Sequence, residues 1–272
     1  MARTGPTTLQ LPSFEGATRR LVLMNVASFF GLALIGFVSA TLKYTLLVHL
    51  VLIPATLVRG EIWQIATYCF VDTGLIYTLF ALLTLWFIGS MLEGSFGARW
   101  LYQLYLVSAI GGGLIASALS FAHIPHLSPD SGMGGPYAGI YGLFVAVLLY
   151  FGDVEFLVFF VVKMKARYLI AIYILVQIAK LLTDADVFGA AVLLSSALSG
   201  WLFLRYAPRR GFAYSFSERF YALRNEFYRS KRRRAARKFE VYMKKQNRDV
   251  HFDKEGRYID PEKDPNDKRW MN

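Results

Sequence analysis

The sequence predicts an all-α polytopic membrane protein, and three observations carry that prediction. Six apolar runs lie at about 21–40, 75–92, 101–121, 138–151, 168–182 and 189–204. Most approach the ~20 residues needed to cross a ~30 Å hydrocarbon layer, the fourth and fifth being shorter. Lys and Arg fall on alternate connections between the runs. Finally, 55% of the chain is apolar or aromatic and 18% charged, too apolar for an ordinary soluble domain.

The charge asymmetry orients the runs. Arg3, Arg19, Arg20, Arg99, Lys163, Lys165, Arg167 and the tail after Arg205 share one side. The other side offers Lys43 and Arg59 with Asp130, Asp184 and Asp186. By the positive-inside rule both termini are expected in the cytoplasm, with a bacterial inner membrane as the expected location. Of the net +11, residues 205–248 hold 15 Lys and Arg against three acids, a local +12 that leaves the rest at −1. The expected organisation is a polar arm (1–20), a six-helix membrane domain (21–206), a basic amphipathic cytoplasmic helical tail (207–248) and a polar C-terminal extension (249–272). No cleavable signal peptide is expected, since the first apolar run is long and lacks an A-x-A-like exit.

The connections differ in kind. Residues 41–74 form a long outer connection that is itself apolar, broken by Pro54 and Gly60, and expected at the interface against the bundle. Residues 93–100 read as a short Gly-rich turn. Residues 123–137, with Pro125, Pro129, Pro136 and three glycines, read as irregular. After Pro208, Ser215-Phe-Ser-Glu218 has the form of a capping box. It opens a helix with Phe216, Phe220, Leu223 and Phe227 on one face. The single Cys69 excludes an intrachain disulfide and reads as a small buried filler.

The run Gly89-Ser-Met-Leu-Glu93-Gly-Ser-Phe-Gly97-Ala-Arg99-Trp, followed by Tyr102, Tyr105 and Gly111-Gly-Gly113, resembles the rhomboid intramembrane protease family. That family has a six-span core with a G-x-x-x-E-x-x-x-G-x-R turn between its second and third spans. The resemblance extends upstream through Gly60-Glu-Ile-Trp63 and downstream to Gly200-Trp-Leu-Phe-Leu-Arg205. It implies a rhomboid-like bundle with Trp63, Gly89, Glu93, Gly97, Arg99, Gly139, Gly142 and Gly200 as scaffold. In rhomboids a Ser in a G-x-S-G segment opening the fourth span is the nucleophile, and a His before a Gly-Gly pair on the sixth span is its base. Here Gly139-Ile-Tyr-Gly142-Leu143 sets the register, so Gly135-Pro-Tyr137-Ala occupies the G-x-S-G slot. The nucleophile position falls on Tyr137. On the sixth span Ser195 and Ser196 replace the two glycines and Leu193 takes the place of the histidine. The family's oxyanion His and Asn become Tyr77 and Ala81, and Gln64 replaces the usual Arg beside Trp63.

A hydroxyl becomes a useful nucleophile only when a base takes its proton, and a phenol with a pKa near ~10 has the same need. No His lies on the last three runs. His49, His123, His126 and His251 are in connections or the tail, without metal-ligand spacing. Ser131, between Asp130 and Gly132, reads as turn chemistry. Ser196-x-x-x-Gly200, with Gly139 and Gly142, reads as a close helix crossing. The expectation is a catalytically degenerate rhomboid-like pseudoprotease, needing no cofactor or metal, that binds or scaffolds other transmembrane proteins. Tyr77, Tyr137 and Tyr141 would line the former cleft. Two alternatives stand: an accessory subunit of a larger membrane complex docked through its tail, and a rhomboid-type serine protease with an unconventional catalytic group. Lys231, Arg232, Arg233, Arg234, Arg237 and Lys238 are expected to bind anionic lipid. Contact of this tail with RNA, a ribosome or a protein is the rival reading.

Overall fold

The computed structural model describes residues 12–72, 74–122, 124–158, 162–183 and 186–206. From the tail it describes 228, 230–231, 235–236, 239–240, 242–245, 251–252 and 258–259. The chain divides into two compact units, Met1–Ala207 and Pro208–Asn272. The first unit contains α1 (Gly16–Val38), α2 (Ala40–Leu50), α3 (Pro54–Val58), α4 (Gln64–Thr67) and a 3-10 turn (Tyr68–Phe70). These are followed by α5 (Leu75–Phe96), α6 (Ala98–Ser120), α7 (Tyr137–Phe151), β1 (Glu155–Val158), β2 (Val162–Lys165), α8 (Ala166–Leu182) and α9 (Val187–Tyr206). Among the described residues α1, α5, α6 and α9 are long and apolar enough to cross a membrane, and α7 is a shorter apolar helix. The protein is an all-α polytopic membrane protein.

Several boundaries differ from the sequence reading. The first helix begins at Gly16 rather than near residue 21, because Glu93 caps it from α5. It stops at Val38, where Ser39 turns to extended backbone and its hydroxyl caps α2. The apolar outer connection is thus partly helical. The turn expected over 93–100 shrinks to Gly97, at φ +87°, a value that favours glycine. The capping box at Ser215 and the aromatic helix after it lie outside the described residues. Within the second unit, described residues from 228 to 245 are helical, and β3 (His251–Phe252) pairs antiparallel with β4 (Tyr258–Ile259).

The core sits where α6, α7 and α9 meet, the most extensive packing in the unit. Lipid tails are as apolar as Leu, so helices in a bilayer associate through close packing rather than through hydrophobic burial. Small residues make that approach possible here. A Cβ on Gly200 would lie 2.8 Å from the Gly142 Cα, so α7 and α9 touch backbone to backbone. A Cβ on Gly112 would lie 2.6 Å from the Ser196 Cα, which brings α6 equally close to α9. Gly139, expected at the α7–α9 crossing, instead makes room for the Tyr105 ring of α6.

Every α7 residue from Ala138 to Val147 is buried. At 1.5 Å per residue its 15 residues rise only about 22 Å, less than the ~30 Å hydrocarbon layer. A helix that short leaves connecting chain at bilayer depth, where irregular backbone must be satisfied by protein, and the chain leading into α7 is satisfied in this way. Leu52 and Met133 exchange both backbone hydrogen bonds, at 2.9 and 3.0 Å. Ala55 N donates to Pro129 O at 3.0 Å, and Gly135 N to Tyr68 O at 2.8 Å. The 52–71 connection is thus the scaffold that delivers the chain to α7.

At the opposite end, α7 passes into the β1–β2 hairpin, which pairs Glu155 with Lys165 through to Val158 with Val162. Asp153 closes its base with Lys165 Nζ at 3.1 Å and Arg167 Nη1 at 3.2 Å. The Lys165 hydrogen bond, with both cations nearby, holds the Asp153 carboxyl below the usual carboxylate range.

The crossing predicts a contrast between two glycines. Gly200→Val overpacks the α7–α9 contact and should destabilise the fold by about 1–3 kcal/mol. Gly31→Ala, at a helical position with open space around it, should be neutral or stabilising. Thermal unfolding in detergent, followed by helical circular dichroism, checks both.

Candidate functional site

The positions singled out by the resemblance fall into three groups. The first is a clamp at the end of the bundle where α1 starts. Glu93 accepts from Ala17 N at 2.7 Å, Thr18 N at 2.8 Å and Thr18 Oγ1 at 2.7 Å. One carboxylate therefore satisfies donors that the first turn of a helix leaves open, and its charge complements the helix dipole. Gly89, one turn away, lets Thr18 pack against α5, and Ser90 Oγ donates to Ser13 O at 2.7 Å. Gly97 supplies the break that follows, while Arg99 is exposed at the start of α6. The G-x-x-x-E-x-x-x-G-x-R run is a device for fastening α1 to α5.

A second group organises the outer connection. Trp63 Nε1 donates to His49 O at 2.8 Å. Its neighbour Gln64 is completely buried and uses the whole amide. Nε2 donates to Val48 O at 3.1 Å and Glu61 Oε2 at 2.8 Å, while Oε1 accepts from Ile53 N and Thr56 Oγ1, both at 3.0 Å. The sequence marks Gln64 only as a departure from the family; its hub role depends on contacts 3 to 16 residues away. Tyr68 and Tyr105 then tie this connection to α6, the first donating to Ala109 O at 2.6 Å and the second to Cys69 O at 3.1 Å. Cys69 is fully buried.

The third group is the candidate site itself, carried by one face of α7. Tyr137 and Tyr141 are four residues apart and so share a helix face. Tyr137, the first residue of α7, donates its hydroxyl to the Tyr77 backbone carbonyl of α5 at 3.2 Å. The Tyr77 phenol is 71% exposed, while Ala81, one turn on, is fully buried. On the other side of α7, Gln177 Nε2 donates to the Tyr141 hydroxyl at 2.8 Å, and that hydroxyl donates to Tyr173 O at 3.2 Å. Phe144 packs between Tyr141 and Tyr173, with ring centroids 5.4 and 5.0 Å away. Both α5 and α8 lie against α7, with no extensive packing between them among the described residues. The site is a line of aromatic rings and hydroxyls across α5, α7 and α8. Leu193 is buried in α9.

Sequence reasoning did not find Gln177, although a lone amide in the apolar 168–182 run was a signal. Of the basic tail cluster, Lys231 is helical and exposed. Arg232, Arg233, Arg234, Arg237 and Lys238 lie outside the described residues, as do His123 and Asp184. Ser131 sits in a turn, its N–H bonded to Ser128 O at 3.2 Å.

Fold and site together define a polytopic helical membrane protein of the rhomboid-like class. The chain belongs to the family described as eukaryotic integral membrane protein (DUF1751), whose model matches residues 23–222. It is similar to Rhomboid-like protein 19 of Arabidopsis thaliana, 27% identical over 216 residues, covering 76% of this chain and 66% of that protein. It is also similar to RHOMBOID-like protein 1 of the same plant, 32% identical over 91 residues, 34% of this chain and 22% of that protein. The chain thus spans just under two thirds of the first relative and about a fifth of the second. A eukaryotic family speaks against the bacterial inner membrane expected from the sequence.

The clamp yields a prediction. Hydrogen bonds to a charged group contribute about 1.5–3 kcal/mol each, so Glu93→Ala should cost at least about 2 kcal/mol. Glu93→Gln, which keeps an acceptor, should cost less. Thermal unfolding of the purified variants in one detergent gives the ranking.

Proposed function

We propose that this protein is a non-catalytic rhomboid-like membrane protein that binds or scaffolds other transmembrane proteins. The observation that carries the reading is the state of Tyr137. Its position corresponds by resemblance to the rhomboid nucleophile, yet its hydroxyl proton is given to the Tyr77 carbonyl, an acceptor that cannot take it away. Leu193, at the position corresponding to the base, is aliphatic and shuttles no proton.

What remains suits recognition. Ile76, Tyr77 and Phe80 are exposed on α5, and Ile172, Leu175 and Val176 on α8. Between these helices a client transmembrane segment would meet the Tyr77 and Tyr137 rings, apolar bodies with hydroxyl tips that can pair with client backbone. Both termini are proposed to be cytoplasmic, from the positive-inside asymmetry. The basic tail, including Lys231, Arg232, Arg233, Arg234, Arg237 and Lys238, is proposed to rest on anionic lipid, at about 1 kcal/mol per basic group near the surface.

The test is a photo-crosslinking residue placed at Tyr77, with the same residue at Phe37, exposed on α1, as control. In nanodiscs with single-span proteins added, position 77 should capture transmembrane segments saturably and position 37 only at background. Equal capture at both positions contradicts the reading.

A further inference from the structure

A second site lies away from the tyrosine line, on the opposite flank of α5. Phe14, Val22, Leu79, Leu82, Leu83 and Trp86 line a groove of about 470 Å³ between the start of α1 and the middle of α5. Its lining side chains are all apolar apart from the indole N–H of Trp86. The fold makes this groove for a definable reason. Glu93 and Gly89 pull the first turn of α1 onto α5, and the α1 residues buried beyond Asn25 reduce to Leu32. The two helices are fastened at one end and loosely joined above it. Phe14 closes the fastened end, edge-on to Trp86 with centroids 5.8 Å apart.

We infer that this groove binds one acyl chain of an anionic phospholipid from the leaflet at the Glu93 end of the bundle, with the lipid phosphate held by Arg19. Three features select that occupant. Length is the first: Leu79 to Trp86 rises about 10 Å along α5, within the ~15 Å depth of one leaflet. Width is the second. A cleft between two helices already fastened at one end admits an extended hydrocarbon chain more deeply than a helix about 10–12 Å across. The third is charge. Arg19 precedes Val22 by three residues and so stands on the same face of α1, one turn nearer the membrane surface. It is exposed and, among the described residues, makes no ion pair. Its long stem can reach the headgroup layer and its guanidinium suits phosphate. Trp86 and Phe14, near that level, are the aromatic rings favoured at an interface.

The test uses the full chain in phosphatidylcholine nanodiscs with a trace of phosphatidylserine or phosphatidylcholine carrying a diazirine on its acyl chain. After photolysis, labelling should concentrate on the peptide holding residues 79–86. Phosphatidylserine should label it about fivefold more than phosphatidylcholine, the ratio for one basic group near the surface. Arg19→Gln should bring the two lipids level, and Leu83→Trp, which fills the groove, should remove most of the label. Label spread evenly over the exposed faces of α1 and α8, or equal labelling by both lipids in the wild type, overturns the proposal. So does loss of the label from the 79–86 peptide when two copies of the protein share a disc, which would assign the groove to a second copy of the chain. Should Leu83→Trp fail to fold, Arg19→Gln, a change at an exposed position, decides alone.

Discussion

The contact between Gly142 of α7 and Gly200 of α9 is the constraint on which the rest of this bundle depends. In lipid no hydrophobic gain draws two helices together, so a helix is held centrally only if its neighbours can touch it closely. Two glycines permit that touch, Ser196 of α9 against Gly112 draws α6 to α9, and Gly139 lets the Tyr105 ring of α6 pack on α7. Once α7 is central it needs no full span, and only its last turn, at Leu148, Leu149 and Tyr150, is exposed. Its first residue, Tyr137, is then half-buried at the edge of the bundle.

From that placement the outer connection acquires its task. A chain that enters a buried helix at bilayer depth has peptide groups with no water to satisfy them. The backbone exchange between Leu52 and Met133, the Gly135 bond to Tyr68, and the Gln64 hub answer this need locally. The tyrosines extend the same logic into the site. Each hydroxyl that the structure pairs at Tyr68, Tyr105, Tyr137 and Tyr141 donates to a main-chain carbonyl. Hydroxyls spent in this way steady a framework and present rings; they are poorly placed to be activated.

The long apolar helices and the small-residue crossing were legible in the sequence because each is written locally, as an unbroken run or as Ser196-x-x-x-Gly200. The G-x-x-x-E-x-x-x-G-x-R run was legible as a motif but not as a mechanism, since its partner, Thr18, lies 75 residues earlier. For the same reason the start of α1 was read late: a polar Gly16-Ala-Thr18-Arg-Arg20 opening resembles an arm until a distant carboxylate caps it. Ser39 hid the division between α1 and α2 because the apolar run continues across it. The 155–165 hairpin escaped notice because a run of Phe, Leu and Val fits helix and strand alike. Gly139 was assigned to the wrong neighbour, because spacing gives a helix face and not the ring that fills it. Gln177 needed its partner Tyr141, 36 residues away, to acquire meaning.

The most direct measurement is labelling of the purified protein, in nanodiscs, with a fluorophosphonate probe for activated serine. Inertness predicts wild-type signal equal to that of Ser131→Ala and of heat-denatured protein. Labelling above that background, abolished by replacing any one serine, would mean that a base reaches a hydroxyl somewhere in this fold, and the non-catalytic account would be wrong.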